Sequence, residues 1–293
     1  MSAPAGTAAS ETAPNARTAS APGGSVAYTE YGDPAGAPVV FLHGTPGSRV
    51  LASVYDDAAS ERGVRVIGFD RPGYGRTPPR PDYGPEDAGA LVAAVLDDAG
   101  VDDAGLVAFS GGVPHALAAT ASHPDRVAGV DVVAGAVPPS YRGDTPTPQR
   151  VLGALAEATP RLLGALLRGQ AWVADRRPPA FVTAQYTTDD APEVPPDVAS
   201  AAKRDFLEAL SETRAGAVRE ARQFTRDWSV PADAVDCRVR WFHGGRDANA
   251  APDAARAYAA DLPNAAFVAL PDADHLGALA ATRGRVLDRW ARD

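Results

Sequence analysis

The stretch Gly105-Leu-Val-Ala-Phe-Ser110-Gly-Gly-Val-Pro-His-Ala-Leu-Ala118 sets an apolar run directly against a serine and follows the serine with a helix-forming segment. Residues 106–109 suit a buried strand. Pro114 is tolerated only in the first turn of a helix, which Ala116, Leu117 and Ala118 then continue. Ser110 therefore falls at the apex of a sharp strand-to-helix turn. Such a turn strains the backbone of its apex residue and crowds the positions two before and two after it, and here these are Ala108 and Gly112. The common form of the pattern is Gly-x-Ser-x-Gly, so Ala108 departs from it by one methyl group. An ordinary small-residue turn reads the same way, and partners for Ser110 have to come from elsewhere in the chain.

Upstream, residues 26–31 alternate as a strand and close in Gly32-Asp33-Pro34-Ala35-Gly36, after which the apolar run 39–42 ends in His43-Gly44-Thr45-Pro46-Gly47-Ser48. A helix over 50–62, a strand over 64–69, the loop Asp70-Arg71-Pro72-Gly73-Tyr74-Gly75-Arg76 and a helix over 85–99 follow. The alternation runs on through Ser110, its helix to about Ser122, and a strand over 127–133. Strands interleaved with helices of this length imply βα units, hence a mainly parallel sheet with helices on both faces. From about Val137 the rhythm changes to helical patterns broken by prolines, with candidate helices at 150–158, 161–174, 198–212 and 215–227. Residues 137–231 therefore read as an inserted helical lid, and residues 16–136 and 232–293 as the α/β core. The stripe Val151, Leu152, Leu155, Leu162, Leu163, Leu166 and Leu167 is expected to pack the lid onto that core. After Pro231 the strands return at 239–243 and 266–270, with helices at 254–260 and 276–290. Gly245-Arg246-Asp247-Ala248-Asn249 follows the first of these strands and Pro271-Asp272-Ala273-Asp274-His275 the second. In an open parallel sheet, ligands gather outside the carboxyl ends of the strands, where all of these loops fall.

Composition narrows the partners. The 293 residues are 45% hydrophobic, ample for a sizeable core. A formal net charge of −9, with Lys203 the only lysine, argues against nucleic acid, whose phosphates need clustered cations. A GC-rich genome and adaptation to high salt both account for the excess of aspartate. Cys237 is the only cysteine, so no intramolecular disulfide and no cysteine metal site is expected. Residues 1–15 read as a disordered tail, and residues 1–24 lack the apolar centre of a signal peptide. No run approaches the roughly 20 apolar residues that cross a bilayer. These readings point to a cytoplasmic protein acting on a small-molecule substrate, with no membrane or nucleic-acid partner; its oligomeric state is open.

With Ser110, Asp247 and His275 in the order nucleophile, acid, histidine, the chain resembles the α/β-hydrolase superfamily over residues 26–290. The His43-Gly44 turn, the Asp70-Arg71-Pro72-Gly73-Tyr74-Gly75 loop, the Ser110 elbow and the late Asp and His loops each match a family feature in its place. The resemblance implies that Ser110 attacks a carbonyl carbon to give an acyl-enzyme, His275 serves as general base and then acid, and Asp247 holds the imidazole. It implies an oxyanion hole from the backbone N–H groups of Thr45 and Gly111, and no metal or organic cofactor. On this reading the substrate is a small carboxylic ester or a related acyl compound.

Rival readings remain at several positions. His43 and His243 precede glycines at strand ends and suit loop support, His115 suits packing or substrate contact, and His123 a helix end. Asp272 and Asp274 lie nearer His275 in sequence than Asp247 does, but the family acid follows the preceding strand. Asp70, Arg71 and Tyr74 are expected to fix the loop beside the elbow. A serine nucleophile argues against the aspartate chemistry of haloalkane dehalogenases and epoxide hydrolases. The His43-Gly44-Thr45-Pro46-Gly47 turn partly resembles that of proline iminopeptidases, which also need acidic lid residues; Glu157, Glu208 and Asp205 are candidates. C–C bond hydrolysis uses the same triad, and a non-catalytic ligand-binding or signalling role is the alternative of another class. Tyr141, Trp172, Phe181, Tyr186, Phe224 and Trp228 offer aromatic surface in the lid.

Overall fold

A computed structural model describes residues 16–143, 147–228 and 230–291, so the proposed tail at 1–15 lies outside the described residues. In chain order the strands are β1 (Arg17–Ala21), β2 (Gly24–Gly32), β3 (Ala37–Leu42), β4 (Val64–Phe69), β5 (Ala104–Phe109), β6 (Val127–Val133), β7 (Val239–Gly244) and β8 (Ala265–Leu270). The helices are α1 (Asp56–Ser60), α2 (Ala88–Ala99), α3 (Val113–Ser122), α4 (Thr147–Ala158), α5 (Pro160–Asp175), α6 (Ala180–Thr183), α7 (Pro196–Ala209), α8 (Ala215–Gln223), α9 (Pro252–Asp261) and α10 (His275–Leu287).

The sheet runs in the order β1-β2-β4-β3-β5-β6-β7-β8, antiparallel where β2 meets β1 and β4 and parallel from β4 to β8. All six residues of β5 are buried, because it lies mid-sheet with helices over both faces. That is why its sequence is a continuous apolar run rather than an alternation. Alternate residues go to opposite faces. Val40, Leu42, Leu106 and Ala108 join a core with α2, α3 and α9. Val39, Phe41, Val107 and Phe109 join another with α10 and the turns before α1.

The expected alternation of strands and helices is present, with local differences. β1 was not legible: Arg17-Thr-Ala-Ser-Ala carries one buried apolar residue, Ala19, and is a strand because β2 offers it an antiparallel edge. The helix expected at 50–62 is a 3-10 stretch, Arg49–Tyr55, running into the short α1. The helix expected at 215–227 ends at Gln223, and α6 was not anticipated.

Between β6 and β7 the chain forms α4 to α8, which own a small apolar cluster including Leu163, Leu167, Val182, Phe206 and Leu210. The stripe on α4 and α5 does not all pack inward. Leu163 and Leu167 are buried, whereas Val151, Leu152, Leu162 and Leu166 stand exposed. The physical reason is that each helix has one packed face, and two apolar residues per turn on α5 exceed what that face covers.

Candidate active site

Four loops meet at one end of the parallel strands. β3 lies beside β5, so the turn His43-Gly44-Thr45 that follows β3 abuts Ser110, which follows β5. Ser110 has φ of +51°, the left-handed region, as the sharp turn requires. The close approach explains the glycines after it. A Cβ on Gly112 would sit 2.4 Å from the Leu42 carbonyl oxygen, and one on Gly111 would sit 2.4 Å from Thr45 Oγ1. Ala108 points into the core between sheet and helices with no exposure, so its methyl group is accommodated away from this contact.

His275 is the first residue of α10, whose N-cap is Asp274; the Asp274 side chain accepts the Gly277 N–H at 2.7 Å and the Thr188 N–H at 3.0 Å. This capping role places Asp274 away from His275 chemistry. Asp272 lies on the surface, where it pairs with Arg246 at 3.1 Å. Asp247, after β7, is the acid that meets the imidazole: its Oδ2 lies 2.7 Å from His275 Nδ1. A carboxylate only accepts, so the proton sits on Nδ1, and His275 Nε2 accepts the Ser110 hydroxyl at 2.9 Å. The second Asp247 oxygen accepts the backbone N–H groups of Asn249 and Ala250 at 2.8 and 2.9 Å. Burial pushes the Asp247 carboxyl upward, but His275 beside it and these bonds outweigh burial and hold it below its ordinary value.

The other histidines occupy supporting positions. His43 Nδ1 donates to the Gly44 carbonyl at 2.8 Å, and its Nε2 accepts the Arg71 N–H at 3.2 Å. His243 accepts from Trp241 Nε1 at 3.2 Å and donates to the Ala250 carbonyl at 2.9 Å, bracing the Asp247 loop. His115 contacts Tyr83 OH at 3.1 Å, and burial lowers its pKa to about 4, keeping it neutral. His123 lies on the surface beside Ser122.

Thr45, Pro46, Leu51, Tyr186, Asp205 and Leu276 are among the residues enclosing a cavity of about 20 Å³ at Ser110, room for about one water. Tyr186 stacks near His275, ring centres 6.1 Å apart, and Phe109 tilts against it at 5.1 Å. Of the other aromatics, Phe224 approaches Gly111, Tyr141 and Trp228 pack on Tyr258, and Trp172 and Phe181 are exposed. Of the three acids singled out, Glu157 pairs with Arg222 and Arg226 and Glu208 with Arg49, away from Ser110. Asp205 alone lines the cavity. Its carboxyl accepts the Ser48 N–H and hydroxyl at 2.6 and 2.8 Å, and burial raises its pKa to about 7.

Glu220 on α8 is a residue that sequence reasoning missed. It is buried with Arg71 behind the Thr45 turn and binds it in a two-bond pairing, both at 2.8 Å. In the sequence Arg219-Glu-Ala-Arg it resembles solvated surface. Its one signal was the three-residue spacing from Ala217, which puts both on the buried face of a helix.

A family described as alpha/beta hydrolase fold matches residues 37–281, and the chain belongs to that family. Among curated proteins it is similar to epoxide hydrolase B of Mycobacterium tuberculosis, 36% identical over 114 residues, which are 38% of this chain. The match spans about a third (32%) of that relative's length. Among solved structures it is similar to a thermophilic esterase from Thermogutta terrifontis, with TM-score 0.70, 22% identity, and coverage of 94% of this chain and 97% of that one. The enol-lactonase from Burkholderia xenovorans gives TM-score 0.71 at 21% identity, covering 93% and 98%. At these identities the structural likeness speaks for the fold. No helix among the described residues is long and apolar enough to cross a membrane.

Proposed function

We propose that this chain is a serine hydrolase that cleaves a small carboxylic ester, or a related acyl substrate, through an acyl-enzyme. The observation that carries this is the relay Ser110 Oγ to His275 Nε2 at 2.9 Å and His275 Nδ1 to Asp247 Oδ2 at 2.7 Å. With its Nδ1 proton committed to Asp247, His275 presents a lone pair to the Ser110 hydroxyl and takes its proton as Oγ attacks the carbonyl carbon. The oxyanion forms beside the Thr45 and Gly111 N–H groups. Gly111 lies in the first turn leading into α3, where N–H groups have no intrahelical acceptor and the helix end favours negative charge. His275 then protonates the leaving group, and a water taking the same path releases the acid. Apart from that water and the substrate, each step is carried by side chains and amides of the chain. Helices α4 to α8 act as the lid, with Tyr186 and Phe206 supplying apolar wall to the acyl pocket. We place the protein in the cytoplasm, acting on a small molecule. A hydroxyl at position 110, where epoxide hydrolases carry an aspartate, favours acyl chemistry over the activity for which the mycobacterial relative is named.

Intact-mass analysis after a fluorophosphonate probe tests the reading. One adduct is expected on the wild-type chain and none on Ser110→Ala, together with loss of ester turnover. Turnover retained by folded Ser110→Ala, or no adduct on the folded wild type, overturns it.

A further inference from the structure

The surroundings of Thr45 hold more than its backbone amide requires. Arg71, fully buried, donates through Nη1 to the His43 carbonyl at 2.5 Å and through Nη2 to the Gly44 carbonyl at 2.9 Å, which fixes the path of the turn up to Thr45. Glu220 neutralises this guanidinium, and its Oε2 also accepts the Thr45 hydroxyl at 2.5 Å and the Tyr74 hydroxyl at 2.9 Å. The other Glu220 oxygen lies 3.5 Å from His115 Nε2 on α3, the helix that begins at the elbow. The network thus spans the turn after β3, the loop after β4, the helix behind Ser110, and α8 of the insertion.

Burial makes the network stiff rather than incidental. Arg71 and Glu220 are 0% and 1% exposed, so each is compensated only while its partners stay in place. Burial alone would push the Glu220 carboxyl up, but Arg71 reverses this and holds it well below the ordinary range, so it stays anionic. The Thr45 hydroxyl lies against the elbow, in space that a Cβ on residue 111 would fill and that Gly111 leaves open. The hydroxyl donates to Glu220 and accepts Arg71 Nη2 at 3.3 Å, so both partners of the buried pair hold the Thr45 side chain next to the peptide that carries its N–H.

We infer that Glu220 is a positioning residue for the oxyanion hole: by gripping the Thr45 hydroxyl from α8 it aims the Thr45 N–H at the developing oxyanion and makes the hole's geometry depend on the docked insertion. The inference rests on the serine-hydrolase reading. An oxyanion donor is worth most in the transition state and least in substrate binding, so loosening it lowers kcat and spares KM.

The test is a double-mutant cycle on a small p-nitrophenyl ester, with Thr45→Val removing the hydroxyl at constant shape and Glu220→Gln removing the charge. Wild type is assayed first: no turnover and no Ser110 adduct refute the serine-hydrolase reading and the inference with it. Given wild-type turnover, Thr45→Val and Glu220→Gln each lower kcat at least about tenfold with KM within about threefold. The double variant is no worse than the poorer single one, and Thr45→Ser, which restores the hydroxyl, returns to within about threefold of wild type. Affinity for a boronic acid analogue of the tetrahedral state falls by the same factor as kcat/KM. Variants that melt earlier while the folded fraction keeps wild-type kcat, or losses that multiply in the double variant, overturn the inference alone. Should Glu220→Gln fail to fold, the Thr45→Val and Thr45→Ser pair decides: equal kcat in the two overturns it.

Discussion

Replacing Asp247 by Asn changes one atom, and the structure dictates which way the new amide turns. One carboxylate oxygen accepts two backbone N–H groups, from Asn249 and Ala250, and the other accepts His275 Nδ1. Asn has one oxygen. Facing it to His275 would set its NH₂ against the two buried N–H groups and leave them unpaired, at about 1–3 kcal/mol each. Facing it to the backbone keeps both bonds and presents NH₂ to His275 Nδ1. The second arrangement wins by roughly 2 kcal/mol or more. The imidazole must then carry its proton on Nε2, aimed at Ser110, and can no longer accept from it. A wrong tautomer of this kind costs about 10⁴ in kcat, or roughly 5.5 kcal/mol of barrier. The assay is steady-state hydrolysis of p-nitrophenyl acetate by wild type and Asp247→Asn, with the rate of fluorophosphonate labelling alongside. Folded Asp247→Asn with kcat within tenfold of wild type refutes the tautomer argument.

Two further outcomes follow from particular contacts. Asp205 titrates near an ordinary aspartate value when unfolded but at about 7 in the fold, pushed up first by burial and also by Asp70, while its bonds from Ser48 pull it down. The native state thus keeps a proton that the unfolded state releases between about pH 4 and 7, so this group's contribution to stability falls as pH rises through that window and is flat above it. Asp205→Asn keeps an acceptor for Ser48 and removes the titration; its advantage over wild type in urea unfolding is expected to grow by a few kcal/mol, in order of magnitude, from pH 4 to pH 8. A gap independent of pH contradicts the assignment. Gly112→Ala forces a methyl group to 2.4 Å from the Leu42 carbonyl oxygen, and a destabilisation of roughly 1–3 kcal/mol is expected by thermal melting, with loss of fluorophosphonate labelling as the elbow shifts. Unchanged melting and labelling would show that the turn has room to spare.

Much of this was legible because the deciding signals are local. β5 and the segment after it reveal a buried strand, a turn and a helix from residues adjacent in the chain, and each parallel strand places its following loop at the same end of the sheet. Elements that failed to show themselves depend on distant partners. β1 is a strand only against β2, and the 3-10 stretch Arg49–Tyr55 is anchored at its start by the distant Asp70 carboxylate, which takes the Arg49 N–H at 2.7 Å and its guanidinium at 2.6 Å. The exposed leucines of α4 and α5 show the same limit, since periodicity marks an apolar face without saying whether anything covers it.

The sequence by itself determined the α/β class, the family, and which serine, histidine and aspartate to compare, because chain order, strand ends and small residues at a turn are properties of neighbours. Family order already favoured Asp247 over Asp272 and Asp274; the tertiary structure adds what each one touches, turning Asp247 towards His275, Asp272 to solvent and Asp274 into a helix cap. It alone brought Glu220 to Thr45 across 175 residues of chain, and Asp205 to the cavity at Ser110. A charged side chain in a helix reads as solvated until the fold removes the solvent, and what it then does is set by the one or two polar groups within hydrogen-bond reach.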